Sequence, residues 1–161
     1  MEKPQIVELQ NEIWAVGLSA RINMKNIYQE LSNVYKAFTK IKHLIQQKKT
    51  PWEYVSLSKN MDENQSWDYY TGYVVNSLVG QDDSLHKFSI PRGTYAVFPI
   101  RCKFKFLLGM KMGKTKRYIY NQWLPVSGYA FSGFEFEYNN EEMNRKSPYD
   151  IDLYVGLTQT S

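Results

Sequence analysis

Chemistry in this chain is concentrated in Phe134-Glu135-Phe136-Glu137-Tyr138, where acids alternate with rings. At the strand period of two, Glu135 and Glu137 share one face, and Phe134, Phe136 and Tyr138 share the other. A carboxylate held among rings is poorly solvated, and its pKa rises unless a cation arrives to pair with it. An organic cation supplies that charge and stacks on Tyr and Trp faces, each desolvated contact adding on the order of 2 kcal/mol. Alternation alone favours the plainer arrangement, two acids facing water on a half-exposed strand.

Rings that could wall such a site are plentiful: aromatics make up 16% of the chain, with thirteen Tyr and four Trp. Trp67, Tyr69 and Tyr73 share one strand face. They form either a pocket wall or a surface packed against a helix, and the sequence leaves both open. Trp123 and Tyr129 flank a helix stop, with Trp123 read as core with one free edge and Tyr129 as a ligand contact. Tyr95 and Phe98 read as core.

Other chemistries find little support. Cys102 is the sole cysteine, and His43 and His86 sit in no ligand-like spacing, so neither a disulfide nor a metal cluster is expected. No nucleophile elbow or phosphate-cradling glycine loop is present, and no cofactor is expected. From Gly93 to Gly133 there is no acid, while Arg101, Lys103, Lys105, Lys111, Lys114, Lys116 and Arg117 accumulate. With Phe104 and Phe106 interleaved, that run could face nucleic acid. An edge strand kept soluble by lysines is the preferred reading, since the acids of the same half would partly offset the field. No run of eighteen apolar residues suggests a membrane span, and Glu2-Lys3-Pro4 does not open a signal peptide. A soluble, cytoplasmic protein is expected.

The elements that must position the acids follow from periodicity. Ile6–Leu9 and Ile13–Arg21 read as extended, either as two strands or as one interrupted strand. Ile27, Leu31, Val34, Phe38, Ile41 and Ile45 make one apolar stripe and predict a helix over Asn26–Lys49. Strands are predicted over Trp52–Ser58, Trp67–Val79 and Lys87–Ile90, with Gly72 marking a bulge or a close approach. Thr94–Phe106 reads as extended, Gly109–Thr115 as flexible, and a second helix spans Lys114 to Leu124, ended by Pro125. The acid-bearing strand and a last strand, Tyr149–Leu157, close the chain. The order is strand, helix, strand, strand, twice, and Ile13–Gly17 (IWAVG) echoes Thr94–Phe98 (TYAVF). The expectation is one domain over 1–161, of α+β class. Two duplicated strand-helix-strand-strand units, about 5–80 and 85–157, form an antiparallel sheet with two helices. A central ligand pocket belongs where the halves meet.

Four runs resemble a known family. Phe88–Phe98 (FSIPRGTYAVF) is similar to its I-P-x-G-x-Y-A-V-F strand, and Tyr120–Tyr129 (YNQWLPVSGY) to its Y-x-x-W-L-P-x-S-G-Y helix end. Phe136-Glu137-Tyr138 and Asp68–Gly72 resemble its F-E-x-Y and Y-x-x-G strands. The family is the GyrI-like, AraC-type effector-binding domain, also found as free-standing integron-encoded proteins. The resemblance implies an aromatic pocket whose glutamate receives cationic, lipophilic compounds, in a non-catalytic sensor or sequestering protein. The expected partners are such a small molecule and a transcription regulator or other protein. The match begins by Ile6, which leaves no room for a helix-turn-helix, so direct DNA binding is not expected. Some relatives are thought to hydrolyse cyclopropane-bearing genotoxins in such a pocket, so hydrolysis of strained electrophiles by the glutamate and tyrosines is the alternative. Two departures stand out. Glu135 and Glu137 both lie where the family has one glutamate, with Glu137 favoured because Phe136 precedes it. The last strand has Tyr154-Val155-Gly156 where the family commonly ends Tyr-x-Pro.

Overall fold

The computed structural model describes residues 3–160; Met1, Glu2 and Ser161, and the reading of the N-terminus that involves Glu2, lie outside it. Among the described residues eight strands form one antiparallel sheet: β1 (Gln5–Leu9), β2 (Ile13–Asn23), β3 (Glu53–Lys59), β4 (Ser66–Val74), β5 (His86–Ile90), β6 (Gly93–Ile100), β7 (Tyr129–Asn140) and β8 (Ile151–Gln159). Two main helices, α1 (Ile27–Ile41) and α2 (Lys105–Tyr118), cross between them. The fold is therefore α+β, as expected. No helix among the described residues is long and apolar enough to cross a membrane.

The strand order is β1-β6-β8-β7-β3-β4-β2-β5. Counted inward from either edge it has the same plan, with β7 and β3 meeting at the midline. The strands carrying the IWAVG and TYAVF echoes, β2 and β6, occupy equivalent places in that plan. Gly17 of β2 and Gly72 of β4 face each other in register. A Cβ on Gly17 would lie 1.9 Å from the Thr71 carbonyl oxygen, and one on Gly72 would lie 2.1 Å from that of Val16. Close approach, one of the two alternatives for Gly72, is what the structure shows.

One sheet face is covered by strands alone. Ala15, Val55, Leu57, Val74, Phe88, Ile90, Tyr95 and Phe136 are buried together there, with Val7 and Leu9 of the edge strand packed against them. Residues from both edges and the midline meet, so the sheet curls about this face. The other face carries the helices. Phe38, Ile41 and Leu44 of the α1 segment pack on Val16 and Leu18, and Leu108, Met112 and Ile119 pack on Ala96, Phe98, Leu153 and Val155.

Several boundaries differ from expectation, and β4, for one, ends at Val74 rather than Val79. The first helix stops at Ile41 rather than Lys49, followed by a 3-10 turn at Lys42–Leu44. Sheet hydrogen bonding takes over beyond it: Lys49 N–H donates to Val74, and the Gln81 side chain bonds both the N–H and C=O of Gln46. The extended run from Thr94 ends at Ile100, and α2 starts at Lys105, so Lys103 and Lys105 share no strand face. Gly109 and Gly113 lie inside α2, despite the helix cost of glycine. At Gly109 the missing side chain admits Tyr28 of α1. Pro125 does not end the helical segment. A π-helical turn, Ile119–Trp123, precedes the short helix α3 (Leu124–Ser127), so Pro125 falls in a first turn, where no amide donor is needed. Gly128, at φ 84°, is the stop. The polar stretch Asn139–Ser147 contains α4 (Glu141–Lys146), capped by the Asn140 side chain.

Candidate functional site

The two helices sit over the outer strands of the helix-bearing face and leave its midline uncovered. There the residue types change. Glu137 and Glu135 of β7 face Ser56 and Ser58 of β3, which face Thr71 and Tyr69 of β4. Flanking positions on the same face are Val16, Leu18, Leu153 and Val155. Small hydroxyl side chains beneath the midline leave depth, and the result is a polar groove between two apolar clusters.

Glu135 is only 9% exposed, and both its oxygens are engaged. Lys116 Nζ lies 2.5 Å from Oε1, and the Tyr120 hydroxyl donates to Oε2 at 2.6 Å. Lys116 and Tyr120 are four residues apart, one at the end of α2 and one in the π-turn, so one side of the segment delivers both. Glu137 is half-buried, and among the described residues no hydrogen bond or ion pair engages its carboxylate. Water reaches part of it, yet protein surrounds it closely enough that desolvation dominates. Desolvation pushes its carboxyl above the usual range, Lys116 opposes this, and Glu135 adds to it. Burial alone would pull the Lys116 ammonium down, but Glu135 and Glu137 together raise it above its ordinary value.

Phenols complete the groove face. Burial pushes Tyr69 far above the usual phenol range, with Glu137 the next influence. Tyr54, accepting from the Thr71 hydroxyl, is raised the same way, chiefly by burial. Ser56 and Thr71 share a hydrogen bond of 2.8 Å. These tyrosines stay neutral and offer a ring and a hydroxyl to whatever enters. On α1, Tyr28 and Tyr35 are 74% and 69% exposed, and a Cβ on Gly109 of α2 would lie 3.1 Å from the Tyr28 hydroxyl. Tyr28 thus links the two helices.

The residues singled out from sequence fall into two places. Glu135, Glu137, Tyr69, Tyr73 and Trp67 share the groove face. Tyr73 packs among Phe38, Trp52 and Tyr54, and the Lys48 ammonium lies 5.0 Å from its ring centre. Trp67 is buried, and its indole N–H has no partner among the described residues. Trp123 and Tyr129 are elsewhere: both pack in the cluster under α2, Trp123 edge-on to Phe98 at 5.3 Å. They line a separate cleft of about 640 Å³ with Ile6, Gln122 and Val126, which includes neither acid. Sequence reasoning passed over Lys116, Tyr120, Tyr54, Ser56 and Thr71 as site residues. The four-residue spacing of Lys116 and Tyr120 is the available signal, obscured because Lys116 lies within a basic run. Among the described residues no three His, Cys, Asp or Glu side chains gather as a metal site.

Such a groove can take up a positive charge, and it can hold a proton on Glu137. No curated protein sequence matches the chain. Among solved structures, an integron cassette protein from the mobile metagenome of Vibrio cholerae, VCH_CASS2, is 13% identical, with a TM-score of 0.68 over 98% of this chain and 97% of that one. SAV2435, solved bound to tetraphenylphosphonium, is 13% identical, with a TM-score of 0.71 over 98% and 94%. The C-terminal domain of EcmrR is 14% identical, with a TM-score of 0.59 over 98% and 99%. These likenesses show a common fold, the GyrI-like one. Residues 5–157 match the family described as Cass2, integron-associated effector binding protein, and the chain belongs to that family.

Proposed function

We propose that this effector-binding domain receives lipophilic cations in the midline groove, with Glu137 meeting the positive centre. The observation that carries the reading is a desolvated carboxylate with no partner among the described residues, set among tyrosine rings and hydroxyls. Glu135 is already committed to Lys116 and Tyr120, which leaves Glu137 as the free acid. SAV2435, of the same fold, has been solved with a lipophilic monocation. Titration of tetraphenylphosphonium followed by tryptophan fluorescence tests the proposal. Saturable binding is expected, weakened about tenfold or more by Glu137→Gln, as when a desolvated charge loses its partner. No binding, or equal binding by the variant, would sink it.

One observation supports a second reading. A carboxyl raised by desolvation, beside the Tyr69 and Tyr54 hydroxyls, is suited to general acid–base work on water and a strained electrophile. That reading requires turnover. Supplied with a cyclopropane-bearing electrophile, the protein must release product in molar excess over itself.

A further inference from the structure

Three charges, not one, meet in the groove. Glu135 has an ammonium on one oxygen and a phenol on the other, at 2.5 and 2.6 Å. Glu137, two residues along the same strand face, has neither among the described residues. The Lys116 ammonium acts on both carboxylates, and the charged groups that act on Glu137 are Lys116 and Glu135. The phenols around them, Tyr54, Tyr69 and Tyr120, remain neutral. Two carboxylates and one ammonium leave a single unbalanced negative charge.

Resting on the reading of the groove as a cation site, the geometry points to Lys116 as a specificity-determining residue. It is a resident cation, held by Glu135, that restricts the groove to ligands carrying one positive charge. A ligand with one cationic centre balances the cluster by sitting on Glu137. A ligand with two brings its second centre against the ammonium, in surroundings where like charges repel far more strongly than in water. Lys116 does not step aside cheaply, because its departure would strip a 9%-exposed carboxylate of its ion partner. Tyr120, fixed by the π-turn, holds the other oxygen and keeps Glu135 turned toward Lys116 rather than toward the ligand.

The experiment compares affinities for tetraphenylphosphonium and for a bis(triphenylphosphonium) alkane across the wild type, Lys116→Met, Lys116→Arg, Glu135→Gln and the double variant Lys116→Met/Glu135→Gln. The wild type is expected to prefer the monocation by about tenfold, and Lys116→Met to reverse that preference, while Lys116→Arg keeps it. Glu135→Gln, whose cluster has no net charge, should bind the monocation about tenfold more weakly, and the double variant should recover to within about threefold of wild type. An unchanged preference in Lys116→Met, or a double variant no better than Glu135→Gln, overturns the proposal. Should Lys116→Met fail to fold, the double variant, near-isosteric and uncharged at both positions, still decides it. If the wild type binds neither probe, the cation-site reading itself has failed, and this proposal with it.

Discussion

Ionising Glu137 in the folded protein is costly, because desolvation disfavours its charged form. Its folded-state pKa is raised, so it stabilises the fold only below its unfolded pKa, and that contribution is lost as pH rises through the raised value. Glu137→Gln should therefore raise the thermal midpoint near neutral pH, by about 2–4 °C if roughly 1 kcal/mol is relieved in a domain of this size. The advantage of the variant should shrink as the pH is lowered, which melts across a pH series would show. Cation binding runs the other way: affinity in the wild type should fall as pH drops through the same raised pKa, because a protonated carboxyl cannot pair with the ligand. A melt unchanged by Glu137→Gln would mean that the carboxylate is better solvated than its surroundings imply. Tyr120→Phe removes the donor to Glu135 Oε2 and should cost about 1–2 kcal/mol in denaturant unfolding.

Among the elements, the segment from α2 through the π-turn to α3 does most to define the groove, and it was the least legible. Gly109, Gly113 and Pro125 are signals against a helix, and read locally they are right. Tertiary structure uses two of them: Gly109 for contact with Tyr28, Pro125 in a fresh first turn after the π-turn. With that helix displaced by nine residues at its start, Lys116 was one lysine of a basic run rather than the partner of Glu135. By contrast the alternation in β7 and the apolar stripe of α1 depend on period alone, and both read correctly from the sequence. Gly72 carried its meaning too. Gly17→Ala places a methyl against the Thr71 backbone, which cannot yield as a side chain can, so this variant should lose more than about 4 kcal/mol or fail to fold. Soluble expression and a denaturant curve close to wild type would contradict the tight crossing of β2 and β4.

Over the whole molecule, the groove lies on the seam where β3 meets β7, equally far from both sheet edges. The α+β class could be read from element order, and the IWAVG/TYAVF echo falls on strands in equivalent places, although each half has two strands rather than one before its helix. Pairing across the chain could not be read that way. β1 lies on β6 rather than on β2, its nearest neighbour in sequence, and β5 lies on β2. Each half of the chain thus supplies the outermost strand of the other, like two hands with fingers interlocked. A protease nick at the exposed Val79-Gly80 connection should leave one particle on gel filtration, its two pieces bound without a covalent link. Either piece made alone would expose unfilled strand edges and cluster with its own kind. A cation riveted onto Glu137 would then strengthen the grip between the severed pieces.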